Sequence, residues 1–250
     1  MSGVSFGKLK KALDILDVRS LRLKVSRCPM HGNSVFVKLN NSLLGVRCVV
    51  CGAAPIATSI ASVLVKYEPD FVDKRIYELS SRGAFFEFLN KNVKDLVCSE
   101  YMEDVAPGES VNGVQCQDVQ KLTFDDAEFE VCTSTEVFEH VPDDISGFKE
   151  ICRVLKDDGV FFFTVPLYDE EETVERATIK DGEIIYLMEP EYHDDSIRGV
   201  GKVLVFHDYG QDIVDRLLSA GFSSVDIIVE KDSAGFGYEK SVIVARKGRK

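Results

Sequence analysis

The chain has 250 residues, 45% hydrophobic and 29% charged, with a net charge of −12. At roughly 100–200 residues per domain, this allows one large domain or one domain with a small appendage, and the composition excludes disorder and fibrous repeats. No apolar run reaches the roughly 20 residues of a membrane span, and the N-terminus lacks the apolar run and cleavage site of a secretory signal. The seven cysteines are odd in number and scattered. The expected compartment is therefore the reducing cytoplasm, where paired cysteines are read as metal ligands before disulfides.

The charge is split along the chain. Residues 1–66 carry a balance of +8, with Asp14 and Asp17 as the only acids, whereas residues 67–250 carry −20. This marks two modules, 1–66 and 67–250, with different surfaces. The acidic body argues against a nucleic-acid groove, because phosphates are repelled. The basic segment suits packing on that body or contact with an anionic partner.

In chain order, Phe6, Leu9, Leu13 and Leu16 fall at helical spacing and predict a helix over Phe6–Leu23. Residues 25–52 read as two knuckles joined by a hairpin, with a turn at Asn40–Asn41. Ala53–Val65 reads as a linking helix, and Tyr67–Asp70 breaks it at the module boundary. From Lys74 onward, short apolar runs alternate with helical stretches. Strands are expected at 75–79, 96–99, 114–116, 129–133, 160–165, 225–229 and 241–245, and helices at 85–92, 145–155 and 212–220. The alternation predicts an α/β fold with a doubly wound sheet whose first five strands are parallel. Residues 167–208 interrupt it with a polar insertion longer than a crossover requires.

Cys28-x2-His31 and Cys48-x2-Cys51 are separated by sixteen residues. A two-residue gap lets both side chains of a knuckle face one ion, and Gly32 and Gly52 permit the turn that follows. The four residues predict a closed structural zinc site. Cys98, Cys116, Cys132 and Cys152 stand singly on expected strands or a helix and read as small core residues.

In an open α/β sheet, ligands bind outside the carboxyl ends of the strands. Glu78 closes the first expected strand, Glu100 the second and Asp118 follows the third. An acid at the second place can accept both hydroxyls of a ribose, and Asp118 is placed to accept from an adenine amine. Residues 129–143, FEVCTSTEVFEHVPD, and 148–159, FKEICRVLKDDG, with the strand 161–166 behind them, resemble the fourth-strand and fifth-strand blocks of class I S-adenosylmethionine-dependent methyltransferases of the small-molecule type. The resemblance implies a Rossmann-like methyltransferase sheet and a cofactor site drawn from Glu78, Ser80, Arg82, Gly83, Glu100, Tyr101, Asp118, Val119, Thr133, Thr135 and His140. It also implies a small-molecule acceptor such as a sugar or secondary metabolite, and the N-terminal knuckles resemble the zinc ribbon of one subgroup. One departure stands out. Where that family has a glycine-rich loop, this chain has Ser80-Ser81-Arg82-Gly83. Arg82 can pair with the cofactor's carboxylate or block its pocket, so a non-catalytic binding or scaffold protein is the alternative reading.

The acceptor side is expected in the insertion, read as a lid that excludes water. Tyr192 and His193 are its catalytic candidates, since histidine titrates near neutral pH and neighbouring acids can orient it. His207 is a second histidine of this kind. The run Asp169–Glu172 reads as a solvated face.

Overall fold

Three short antiparallel strands come first, β1 (Arg22–Cys28), β2 (Gly32–Lys38) and β3 (Val46–Cys48), in the order β1-β2-β3. The computed structural model describes residues 16–195 and 201–249. Most of the expected N-terminal helix lies outside them. Its last residues are not helical: Val18–Ser20 form a turn, and Arg22 already pairs with Lys38. The alternation of Leu23, Val25 and Arg27 with Lys24, Ser26 and Cys28 fits a strand of period two, and cross-strand pairing wins over the helical spacing further upstream.

Helix α1 (Pro55–Tyr67) follows, with Pro55 at its first turn, where a missing N–H costs nothing. Expected as a linker, it does more. Ile60, Ala61, Val63 and Leu64 are fully buried and pack with Ile76, Val131, Val160, Phe162, Val242 and Val244 of the main sheet. The helix thus lies on the larger module's core although it precedes residue 67.

The remaining elements are β4 (Arg75–Glu78), α2 (Gly83–Asn92), β5 (Asp95–Glu100), β6 (Ser110–Val111), β7 (Val114–Cys116), β8 (Phe129–Thr135), α3 (Asp144–Val154) and β9 (Leu155–Thr164). The insertion then holds β10 (Val174–Glu175), β11 (Ala177–Lys180), β12 (Glu183–Tyr186), β13 (Tyr192–Asp195), β14 (Gly201–Leu204) and β15 (His207–Asp208). Helix α4 (Ile213–Ser219), β16 (Ser224–Lys231) and β17 (Glu239–Arg246) close the chain.

Eight strands form one sheet in the order β16-β17-β9-β8-β4-β5-β7-β6. The pairs β9/β8, β8/β4, β4/β5 and β5/β7 are parallel, and β17 runs antiparallel to both β9 and β16. Successive side chains of a strand face opposite sides, and β9 shows the consequence. Phe161 and Phe163 enter the core under α3 and α4, while Val160 and Phe162 enter the core under α1 and α2. Helices on both faces make the sheet doubly wound, and the strand order reverses between β4 and β8, where ligands bind in such folds.

The insertion is itself folded. β10 pairs with β15, β11 with β12 and β13 with β14. Its base is tied down by a buried network. Arg216 of α4 meets Asp144 of α3 at 2.6 Å and Glu175 of β10 at 3.3 Å, and the Tyr209 hydroxyl donates to Asp144. Among the described residues, no helix is long and apolar enough to cross a membrane.

Candidate functional site

The acids expected at the strand ends converge there. Glu78 ends β4 with 1% exposure and accepts a hydrogen bond from the Thr133 hydroxyl on neighbouring β8. Burial, reinforced by the nearby Glu100 carboxylate, pushes the Glu78 carboxyl up to about 8 against the pull of Thr133. Glu100 ends β5, also buried, and its Oε1 accepts from the Ser81 N–H and hydroxyl, both at 2.9 Å. The Ser80–Arg82 loop is therefore folded against the second acid. Gly83, at φ +90°, turns the chain into α2, a conformation open to glycine at little cost.

The other expected contacts divide. Asp118 follows β7, but its Oδ1 accepts from the Gln120 N–H at 2.9 Å and caps the 3-10 turn Val119–Lys121. Val119 packs into the core, which places it behind the crevice. Tyr101 is exposed beside Glu100, and Thr135 ends β8 beside Thr164. His140 sits in the 3-10 turn Phe138–His140, its Nδ1 at 2.8 Å from the Leu204 carbonyl.

Three comparisons bear on this crevice. Residues 80–163 match the family model described as "Methyltransferase domain". This segment is a methyltransferase domain. Ubiquinone biosynthesis O-methyltransferases of Coxiella burnetii are 35% identical over 90 residues, which is 33% of this chain and 38% of theirs. The chain thus aligns with well under half the length of these curated relatives. Among solved structures, a methyltransferase from Mesorhizobium loti is 16% identical, with 75% of this chain and 97% of that one covered and a TM-score of 0.48. The 1,6-didemethyltoxoflavin-N1-methyltransferase of Burkholderia thailandensis, bound to S-adenosylhomocysteine, is 16% identical at a TM-score of 0.48, with 78% and 79% covered.

The insertion brings His193 to the turn after β8. His193 Nδ1 lies 3.8 Å from Glu139 Oε1, and its ring meets that of His140 edge-on at 5.1 Å between centroids. Tyr192 does not share this place. As the neighbouring residue on β13 it faces the other way, 45% exposed, towards Tyr186. The expected pairing of Tyr192 with His193 in one pocket is corrected by strand alternation. His207, at 2% exposure, is no loop residue. Its Nε2 lies 2.9 Å from the Val141 carbonyl and its Nδ1 3.0 Å from Glu175, so it locks the base of the insertion. Burial pulls its imidazole down, but Glu175 and Asp144 outweigh that and leave it above its ordinary value. Glu139, buried between the two histidines, was missed in the sequence, where it reads as one acid of many in TEVFEH.

Away from the crevice, the ligand atoms of Cys28, His31, Cys48 and Cys51 all lie within 4.8 Å of one another. Cys28 and Cys51 sulfurs are 3.9 Å apart, and His31 Nε2 is 3.1 Å from Cys48 Sγ. Gly32 and Gly52, at φ +90° and +75°, make the turns that aim each knuckle inward. Two soft thiols, a third thiol and an imidazole at these separations suit a tetrahedral ion with bonds of about 2.0–2.3 Å. Cys116, Cys132 and Cys152 are buried singly, as expected of core residues.

Proposed function

We propose that this protein transfers a methyl group from S-adenosylmethionine to a hydroxyl of a small molecule, a sugar or a secondary metabolite. The observation that supports it most is the pair of buried carboxyl groups, Glu78 and Glu100, at the ends of adjacent parallel strands beside the matched segment. The donor set fits the cofactor. A carboxyl held near neutral pH in a dry site gains most from a cationic ammonium, and a second carboxylate at the next strand end suits ribose hydroxyls. Bound S-adenosylmethionine supplies an electrophilic methyl on a sulfonium. Glu78 binds and charge-balances, Glu100 orients the sugar, and Thr133 fixes the Glu78 rotamer. Ser80, Arg82 and Gly83 shape the loop over the cofactor, with Tyr101, Asp118, Thr135 and His140 along its length. The folded insertion excludes water and holds the acceptor against His193.

The O-methyl outcome takes its support from the Coxiella relatives, which are ubiquinone biosynthesis O-methyltransferases. The Cys/His module within residues 1–66 holds a structural zinc, and residues 67–250 carry the chemistry. Calorimetry with S-adenosylhomocysteine, followed by radiolabelled methyl transfer to panels of sugars, phenols and amines, tests this reading. Micromolar binding and label on an oxygen support it. No heat at millimolar ligand returns the chain to a scaffold role, and label on nitrogen corrects the acceptor class.

A further inference from the structure

Glu139 is the most unusual carboxylate in the molecule. Its side chain has no solvent exposure, and neither oxygen has a hydrogen-bond partner. Among the described residues, it is paired with no lysine or arginine; its neighbours are His140 Nε2 at 3.7 Å and His193 Nδ1 at 3.8 Å. Both separations exceed a hydrogen bond. An ionised carboxylate in a dry place calls for a compensating cation, and two imidazole nitrogens facing it can share one.

We propose that Glu139, His140 and His193 bind a divalent transition-metal ion that clamps the insertion to the sheet beside the cofactor crevice. The three ligand atoms lie within 4.8 Å of one another. A tetrahedral ion with bonds of about 2.0–2.1 Å sets its ligands about 3.4 Å apart, so Glu139 needs to approach each imidazole by only a few tenths of an ångström. His140 is oriented by a hydrogen bond from behind, and His193 has a carboxylate near its other nitrogen. A carbonyl oxygen only accepts, so the contact with Leu204 puts the His140 proton on Nδ1 and leaves the Nε2 lone pair facing Glu139. His193 Nε2 faces Glu191 at 3.7 Å, and Glu191 is held in turn by Arg176 at 3.2 Å. The Leu204 carbonyl is the kind of outer partner a metal-ligating imidazole has, and Glu191 lies within about an ångström of becoming one for His193. Two imidazoles favour zinc or iron over magnesium or calcium, and the carboxylate admits manganese.

The site spans two parts of the chain. Glu139 and His140 stand on the turn after β8, and His193 stands on β13 of the insertion. The Glu139 carbonyl already accepts from the Phe206 N–H at 2.7 Å, so the return strand of the insertion is docked on the same turn. Three protein ligands leave a fourth position, suited to an acceptor hydroxyl or a water. That part rests on the methyl-transfer reading above; the clamp does not. With the ion bound, His193 serves catalysis as its ligand.

The test uses the full chain, titrated calorimetrically with ZnCl2 and separately with MnCl2, with bound metal counted by elemental analysis. One ion is expected beyond that of the Cys/His module, at micromolar zinc. His193→Ala, a half-exposed position that the fold tolerates, should weaken this second ion at least 30-fold, and Glu139→Gln should do the same. Cys48→Ser should leave it in place. Limited proteolysis of residues 176–204 should slow at least threefold when the ion is added. Absence of a second ion at millimolar metal overturns the proposal, as does a second ion unchanged in both His193→Ala and Glu139→Gln. S-adenosylhomocysteine binding is read on the same samples. Cofactor binding without the second ion sinks only the clamp, and the second ion without cofactor binding sinks only the methyl-transfer reading.

Discussion

Strand β9 buries Phe161, Phe162 and Phe163 completely, while β1 leaves Leu23 and Val25 open at 67% and 83% exposure. The two sheets are stabilised by different means. The eight-stranded sheet has a helix layer on each face and fills two cores. The three-stranded sheet covers one face only, and its small core of Phe36, Val46 and Ala53 borrows Ala234 from the loop between β16 and β17. Two of its other core members, Cys28 and Cys48, are candidate metal ligands. A sheet this small has little apolar burial of its own, and the zinc proposed above would supply what packing does not. The docking is specific. Lys24 lies over the Phe236 ring at 5.0 Å and Lys38 over Tyr238 at 5.4 Å. The basic segment thus packs on the body through rings and through hydrogen bonds from Lys24 and Ser26 to the Gly235 and Ser233 carbonyls.

If coordination holds the small sheet, Cys48→Ser/Cys51→Ser should remove the one zinc equivalent of the Cys/His module and unfold residues 22–52 as a unit. Hydrogen exchange reads this directly. Amides of β1–β3 should lose protection by several orders of magnitude, while β8 and β9 keep theirs. A body that melts along with the module would show that the two sheets share one cooperative unit, and the contrast would fall.

The larger sheet invites a change that alters binding while leaving the fold intact. Glu100→Ala removes a charge-assisted acceptor at the end of β5 and should weaken S-adenosylhomocysteine by about 2–4 kcal/mol, or roughly 30- to 1,000-fold. Calorimetry at pH 7.5 measures it. Parental affinity in this variant would mean that the ribose site lies elsewhere along the strand ends.

Glu78 sharpens the comparison through pH. Its folded value of about 8 stands above the 4.5 of an ordinary glutamate. The native state then holds a proton that the unfolded chain has released, so this group costs stability as pH rises from 4.5 towards 8, by a few kcal/mol at most. Below 4.5 the cost is absent. Glu78→Gln should raise the melting temperature of the ligand-free protein at pH 8.5 and leave it unchanged at pH 4. Thermal unfolding at the two pH values checks this, and an equal shift at both would assign the effect to packing. The same variant should bind S-adenosylhomocysteine more weakly, because the charge that meets the ammonium is gone.

The sequence revealed these two sheets to different depths. Short apolar runs located seven of the eight strands of the main sheet, all but β6, because strands buried on both faces read as continuous hydrophobic blocks. The knuckle spacing located the Cys/His cluster, because ligand geometry is local. What stayed hidden depends on long-range packing. Helix α1 looked like a connector, since nothing in residues 55–67 says which surface covers Ile60 and Leu64. Asp118 sits at an expected strand end, yet its carboxylate caps the next turn. Glu139 and His193 are fifty-four residues apart, and only the folded insertion brings them together. The face of Tyr192 follows from alternation once β13 is known, and the polar pattern of residues 167–208 did not reveal that strand.

The smallest expected effect lies where the two sheets meet. The loop between β16 and β17 is shaped by Asp232, which accepts from the Phe236, Gly237 and Tyr238 N–H groups at 2.8–3.0 Å. That turn presents Tyr238 to the small sheet, where its hydroxyl donates to the Asn41 carbonyl at 2.8 Å. The bond is exposed, and water can replace it in either partner. Tyr238→Phe keeps the ring under Lys38 and should therefore cost only about 0.5–1 kcal/mol. That cost should fall on the module alone, as about a two- to fivefold faster exchange of β2 and β3 amides with the body unchanged. Replacing the ring as well, by Tyr238→Ala, removes apolar contact area and the cation–π contact and should add about 1–3 kcal/mol to the same region. If the alanine variant leaves β2 and β3 as protected as the phenylalanine one, the ring contributes nothing to docking. The zinc ligands alone would then account for the module's order.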